Sequence, residues 1–326
     1  MVNANAHSST INWPCCDMTN IWITGAHGFI GRHLARHLQD RGHTVCGIGH
    51  GAWPQEEARN LGLNYWLNGE IDASNLGDLA ARQGLPDTVF HLAGGSSVGL
   101  SMQHPLEDFR RSVDTSARLF EWVRVNALHT KVVCVSSAAV YGTDHSGPIS
   151  ETTPLSPSSP YGCHKAMMEM LCQSNILNYG MRIAIVRLFS VYGAGLEKQL
   201  LWDLCTKLRG NPVVVTLGGT GQELRDWIHI SDVVRLLESL TANQNSTLVL
   251  NGGTGAGVPV QGIAKLVCSS WGQKARIEFS GQQRPGDPNV LVADVSLSRK
   301  FGFSPSMSLG DGIEQVVSWF KTRMKC

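Results

Sequence analysis

The stretch NIWITGAHGFIGRHLARHLQDRGHTVCGIGH, residues 20–50, decides the fold. Its opening run, Ile21 to Thr24, is apolar and β-rich, and a turn containing Gly25, Gly28 and Gly31 follows. Leu34 and Leu38 then fall one helical turn apart on a single face, before a second β-rich run from Val45 to Ile48. Strand, glycine turn, amphipathic helix and strand make a βαβ unit. Further apolar runs at 87–94 (DTVFHLAG), 131–137 (KVVCVSS) and 181–189 (MRIAIVRLF) are separated by helix-length segments. This alternation predicts the α/β class, a doubly wound parallel sheet with helices on both faces.

Position gives the glycines their meaning. Where a strand meets a helix, the pattern Gly25-x-x-Gly28-x-x-Gly31 lets backbone amides at the helix N-terminus approach a pyrophosphate closely. Phe29 and Ile30 lie within that turn. Dinucleotide binding is the expected use.

Composition narrows the partners. A chain of 326 residues with 42% hydrophobic content can bury a large core. With 27 basic against 26 acidic residues, no broad cationic face for nucleic acid or anionic membrane is expected. Nine cysteines form no CxxC pair and no metal-ligand cluster with histidine, so they read as thiols of a reducing compartment, and no metal is expected. No apolar stretch reaches the roughly 18 residues of a membrane span, and residues 1–18 lack a charged-then-apolar signal. They read as a loose extension, and a cytoplasmic location is expected.

The glycine turn, FHLAG (90–94), VSSAAVYG (135–142) and YGCHK (161–165) together resemble the extended short-chain dehydrogenase/reductase family, which includes nucleotide-sugar epimerases, reductases and dehydratases. The resemblance runs from about residue 19 to the C-terminal third, where GGTGQELRDWIHISDV (218–233) and RPGDPNVLVADVSLSRKFGFSP (284–305) are similar to that family's segments for holding a nucleotide diphosphate. It implies a Rossmann-type domain over 19–188 plus about 225–252. It also implies a smaller C-terminal α/β substrate-binding lobe over about 189–224 plus 253–326. A nucleotide-diphosphate sugar is the implied substrate, and a homodimer through helices near 103–126 and 161–179 the implied assembly.

The catalytic triad that the resemblance implies is Ser137, Tyr161 and Lys165. Tyr161 and Lys165 stand four residues apart, which places both on one helix face. A phenol with a pKa near ~10 is a poor base at neutral pH. A nearby ammonium together with a cationic nicotinamide favours the phenolate. Lys165 is therefore expected to tune Tyr161 and, by the resemblance, to grip the nicotinamide ribose. Side chains alternate along a strand, so only one of Ser136 and Ser137 should face the reacting sugar, and Ser137 is the choice. The reaction expected is hydride transfer at a secondary alcohol or ketone, by a 4-epimerase or a 4-ketoreductase. The common 4,6-dehydratase mechanism is disfavoured because Ala138 and Ala139 occupy the places where dehydratases carry an acidic pair.

The cofactor is expected to be NAD(P)(H), with a mild preference for NADP. The second strand ends in Gly49 rather than a carboxylate, and His50 stands where NADP-binding relatives often carry an arginine. Glu70 and Ile71 are expected along the adenine, and Leu92, Ala93 and Gly94 along the cofactor at the end of the fourth strand. Ser112 and Ser190 replace asparagines that relatives place beside the nicotinamide and the substrate phosphate. Arg225 and Arg284 resemble a pair that clamps the diphosphate, a task for which the guanidinium fork is suited, and Asp287 is expected at the nucleotide ribose. Two other readings remain: an NADP-dependent reductase of a non-nucleotide carbonyl, and a cofactor-sensing regulator without catalysis.

Overall fold

The computed structural model describes residues 18–241, 247–272, 274–282 and 287–324. Seven strands form one parallel sheet: β1 (Asn20–Thr24), β2 (Thr44–Gly49), β3 (Tyr65–Asn68), β4 (Thr88–His91), β5 (Lys131–Ser137), β6 (Arg182–Leu188) and, later in the chain, β10 (Thr247–Gly252). Their spatial order is β10-β6-β5-β4-β1-β2-β3. The order reverses direction between β1 and β4, and in open α/β sheets the crevice at the carboxyl ends of such strands is where ligands bind.

Alternation along the strands supplies two cores. Ile21 and Ile23 of β1 join Val45, Phe90 and Val133 on one face, while Trp22 joins Cys46, Val89, Val132 and Cys134 on the other. Burial on both sides is why these strands read as continuous apolar runs. Helices α1 (Phe29–Asp40), α2 (Gln55–Asn60), α3 (Ala73–Gln83), α4 (Val98–Gln103), α5 (Pro105–Phe109), α6 (Thr115–Asn126) and α7 (Pro160–Tyr179) connect the strands. The expected helix near 103–126 is interrupted: α5 and α6 are joined by a π-helical bend at Arg110–Asp114. Ser159 caps α7 by accepting from the Gly162 amide, with Pro160 in the first turn.

The remaining elements are β7 (Ser190–Tyr192), α8 (Gln199–Leu208), β8 (Val214–Leu217), β9 (Leu224–His229), α9 (Ile230–Ser239), β11 (Gly257–Pro259), α10 (Val260–Trp271), β12 (Arg276–Phe279), β13 (Val290–Leu291), α11 (Ser296–Lys300) and α12 (Leu309–Arg323). β7, β9, β11 and β13 make a small sheet, and β8 pairs with β12. A third core, including Leu201, Leu204, Ile263, Val267, Ile313 and Phe320, binds α8, α10 and α12. Residue 225 thus lies on the small sheet, whereas β10 returns to the large one. Among the described residues, no helix is long and apolar enough to cross a membrane.

Candidate active site

A cleft of about 1960 Å³ runs along the carboxyl ends of the large sheet and onto the small one. Pockets for single small ligands hold roughly 300–1,000 Å³, so this one has room for two.

One end has the geometry of an anion site. Gly28 is the N-cap of α1 and provides no side-chain cap, and the first turn holds no acidic residue. The first amides therefore stay available to an anion, with the positive end of the helix dipole behind them. A methyl group on Gly31 would lie 2.6 Å from both Ala26 Cα and the Gly25 carbonyl oxygen, so only glycine lets the helix pack this close. Gly25, at φ 70°, would place a Cβ 2.9 Å from the Ala93 amide nitrogen. Phe29, Ile30, Leu92, Ala93 and Gly94 line the same wall. Behind it, buried His91 binds Thr24 Oγ1 and Ser116 Oγ at 2.8 Å each, and burial pushes its pKa down to about 3. It is a neutral structural imidazole. Thr24 Oγ1 also accepts from the Leu92 and Ala93 amides, which fixes the loop that leaves β4. An uncapped helix end above a glycine floor fits the pyrophosphate of NAD(P).

The strand-end expectation is modified by a contact. His50 faces Glu70, with Nε2 and Oε1 3.3 Å apart and both side chains exposed. Gly49, His50, Glu70 and Ile71 all line the cleft, so a carboxylate does stand at this rim, supplied from beyond β3 rather than by β2.

At the centre, Ser137 and Tyr161 both line the cleft, and the Ser137 side chain acts on the phenol to lower its pKa. Ser136 points the other way, its buried hydroxyl 2.5 Å from Glu169 Oε1, as alternation along β5 requires. Lys165 is buried, and its Nζ donates to the Val135 carbonyl at 3.0 Å. It also lies 3.1 Å from the position of a Cβ on Gly94. Burial lowers the Lys165 pKa. The Tyr161 phenol is pushed up by burial; the Ser137 side chain lowers it and the charge of Asp108 raises it. Ser112 accepts from the Gly95 amide at 2.9 Å and so holds the loop beside Lys165.

Towards the small sheet the cleft is lined by Ser190, Trp227, Arg225 and Asp287. Arg225 donates to the Pro288 carbonyl at 2.7 Å, and Asp287 acts on it electrostatically. Asp226 is no partner for Arg225: wholly buried, it accepts from the Thr254 and Gly255 amides at 2.7 and 2.8 Å and anchors that loop. Arg284 lies outside the described residues.

Tertiary contact also brings in residues that motif spacing missed. Lys198 and Ser96 line the cleft and are bonded across it, and Asp108 pairs with His164 behind Tyr161. The only sequence signal for His164 was its place inside YGCHK. Nothing in the linear pattern links Asp108 to it.

A model of the NAD dependent epimerase/dehydratase family matches residues 21–250. The chain belongs to that family. UDP-glucose 4-epimerase of Azospirillum brasilense is 31% identical over 320 residues, covering 92% of this chain and 91% of that protein. A dTDP-glucose 4,6-dehydratase of Streptomyces griseus is 27% identical over 328 residues, covering 93% and 94%. The structure of MoeE5 in complex with UDP-glucuronic acid and NAD superposes with a TM-score of 0.83 at 31% identity, covering 94% of this chain and 100% of that one. The Rossmann-type sheet and hydride-transfer chemistry on nucleotide sugars, both expected from the motifs, are those of this epimerase/dehydratase family.

Proposed function

We propose that this chain is an NAD-dependent 4-epimerase of a nucleotide-diphosphate sugar. The observation that carries the reading is the convergence of Ser137, Tyr161 and Lys165 on the wall of one cleft that runs from the bare N-terminus of α1 to Arg225. Bound NAD would supply reversible hydride-acceptor chemistry at the sugar carbon, as epimerisation requires. Tyr161 takes the hydroxyl proton as the ketone forms and gives it back afterwards, while Ser137 orients the same oxygen. Lys165 holds the cofactor ribose and keeps a positive charge near the phenolate. The α1 amides bind the pyrophosphate, and Arg225 with Arg284 meets the substrate diphosphate.

NAD is favoured over NADP by the Glu70 carboxylate beside His50, which would repel a 2′-phosphate and accept from a ribose hydroxyl. The dehydratase outcome is disfavoured by Ala138 and Ala139, which offer no proton donor or acceptor after Ser137. A homodimer is supported by exposed apolar side chains on α4, α5 and α7, among them Met102, Leu106, Met167, Met170 and Leu177. Sedimentation at micromolar concentration tests the dimer.

Denaturing the purified protein and identifying the released dinucleotide tests the main reading. Stoichiometric NAD together with interconversion of UDP-glucose and UDP-galactose supports the epimerase. An empty site with NADPH-dependent reduction of a 4-keto sugar turns the assignment to a ketoreductase.

A further inference from the structure

Lys198 is a cation in the cleft wall without a counter-ion. Of the other cations lining the cleft, Arg111, Arg118 and Lys207 each meet a carboxylate four residues earlier in the chain, Arg110 is exposed, and Lys165 and Arg225 donate to backbone carbonyls. Lys198 has no carboxylate within ion-pair distance among the described residues. Its neighbour Glu197 is engaged by Arg323 at 2.8 Å. The Lys198 ammonium instead reaches across to Ser96 Oγ at 2.9 Å. Burial lowers its pKa, and no acidic group opposes that shift. The residue after it, Gln199, holds a left-handed φ of 68° at the start of α8 and also lines the cleft. Non-glycine residues hold such backbone where surrounding structure enforces it, and they concentrate at ligand sites.

Location decides which anion would answer this charge. Ser96 is two residues beyond Gly94, the glycine against which Lys165 Nζ is packed, so Lys198 stands on the reacting side of the cleft. Arg225, the candidate for the diphosphate, is fixed on the small sheet by Pro288. An anion beside Ser96 therefore belongs to the sugar rather than to the diphosphate. On a hexose a carboxylate in place of the primary alcohol carries such a charge. A charged hydrogen bond there is roughly twice as strong as a neutral one to a hydroxymethyl group.

We infer that Lys198 is a specificity-determining residue that recognises the carboxylate of a uronic sugar, so that the substrate class is a nucleotide-diphosphate uronate. The inference rests on the epimerase reading above.

The test measures kcat/KM for 4-epimerisation of UDP-glucuronate and of UDP-glucose by the wild-type enzyme, Lys198→Met and Lys198→Arg. The wild type should favour the uronate. Lys198→Met should lower the uronate-to-glucose ratio by about 10- to 100-fold, chiefly through KM, and Lys198→Arg should restore most of it. Wild-type conversion of UDP-glucose with no turnover of the uronate overturns the inference and leaves the epimerase reading standing. Equal losses on both sugars in Lys198→Met also overturn it, since the ammonium would then serve the diphosphate or only strap the lobes together. Failure to convert either sugar, with no dinucleotide bound, removes the underlying reading itself. The wild-type preference requires no variant to fold.

Discussion

His164 Nδ1 lies 2.6 Å from Asp108 Oδ2, a buried contact that fastens the helix bearing Tyr161 and Lys165 to α5. The other Asp108 oxygen is packed against Gly95, where a Cβ would come within 1.8 Å of it. The pair thus fixes α7 relative to the loop beneath which Lys165 lies. Asp108→Ala should destabilise the protein by about 1–3 kcal/mol, because a buried imidazole nitrogen loses its partner. His164→Ala should cost a similar amount, and the double variant less than the sum of the two, read from urea denaturation midpoints. Strict additivity would show that the contact contributes no coupling.

Removing the phenol hydroxyl should stop chemistry without harming the fold. Tyr161→Phe is expected to lower turnover by about 10²- to 10⁴-fold while NAD affinity and melting temperature stay close to wild type. Turnover within a few-fold of wild type would remove Tyr161 from the mechanism.

The Tyr161 phenol, raised by burial, holds its proton more tightly in the native protein than in the unfolded chain. Its contribution to stability is therefore fully present below the unfolded value near ~10 and is lost as pH rises through the native value. Tyrosinate absorbance, taken as the difference between wild type and Tyr161→Phe, should show ionisation above that ordinary value. Saturating NAD should move it down, since the oxidised nicotinamide is cationic. A titration that ignores NAD would contradict the proposed proton transfer.

Gly31 tests the dinucleotide end. Gly31→Ala places a methyl group 2.6 Å from backbone atoms of Gly25 and Ala26, which cannot rotate away. The first turn of α1 must shift outward, and NAD affinity measured by calorimetry should fall at least tenfold, about 1.4 kcal/mol. Unaltered affinity would show that the pyrophosphate binds elsewhere.

Behind the site, Arg187 on β6 donates to Glu169 Oε2 on α7 at 2.6 Å, with 5% and 1% of the two side chains exposed. Arg187→Met leaves a buried carboxylate unpaired and should cost about 3–5 kcal/mol. Adding Glu169→Gln should recover part of that loss in thermal melts. No recovery would assign the loss to the cation–π contact of Arg187 with Tyr141 instead.

How much was legible in the chain follows from how local each feature is. The βαβ unit, the glycine turn and the Tyr161–Lys165 spacing are written in contiguous residues, because helix and strand periods and backbone sterics act over a few positions. They placed β1, β2, β4, β5 and β6 and the glycine turn at the start of α1. β3 was counted without being located, because its four residues, Tyr65 to Asn68, are too short for a period to show. The π-helical bend inside the segment expected as one helix left no signal either.

Sequence by itself determined the fold class, and it supplied the candidates for binding a dinucleotide and for exchanging a proton. Tertiary structure alone decided that Glu70 brings a carboxylate to His50, that Asp108 backs His164, and that Lys198 crosses to Ser96. Each of these pairs joins residues 20 or more positions apart. A hydrogen bond or ion pair between such residues depends on how whole strands and helices pack, so no spacing rule along the chain encodes it.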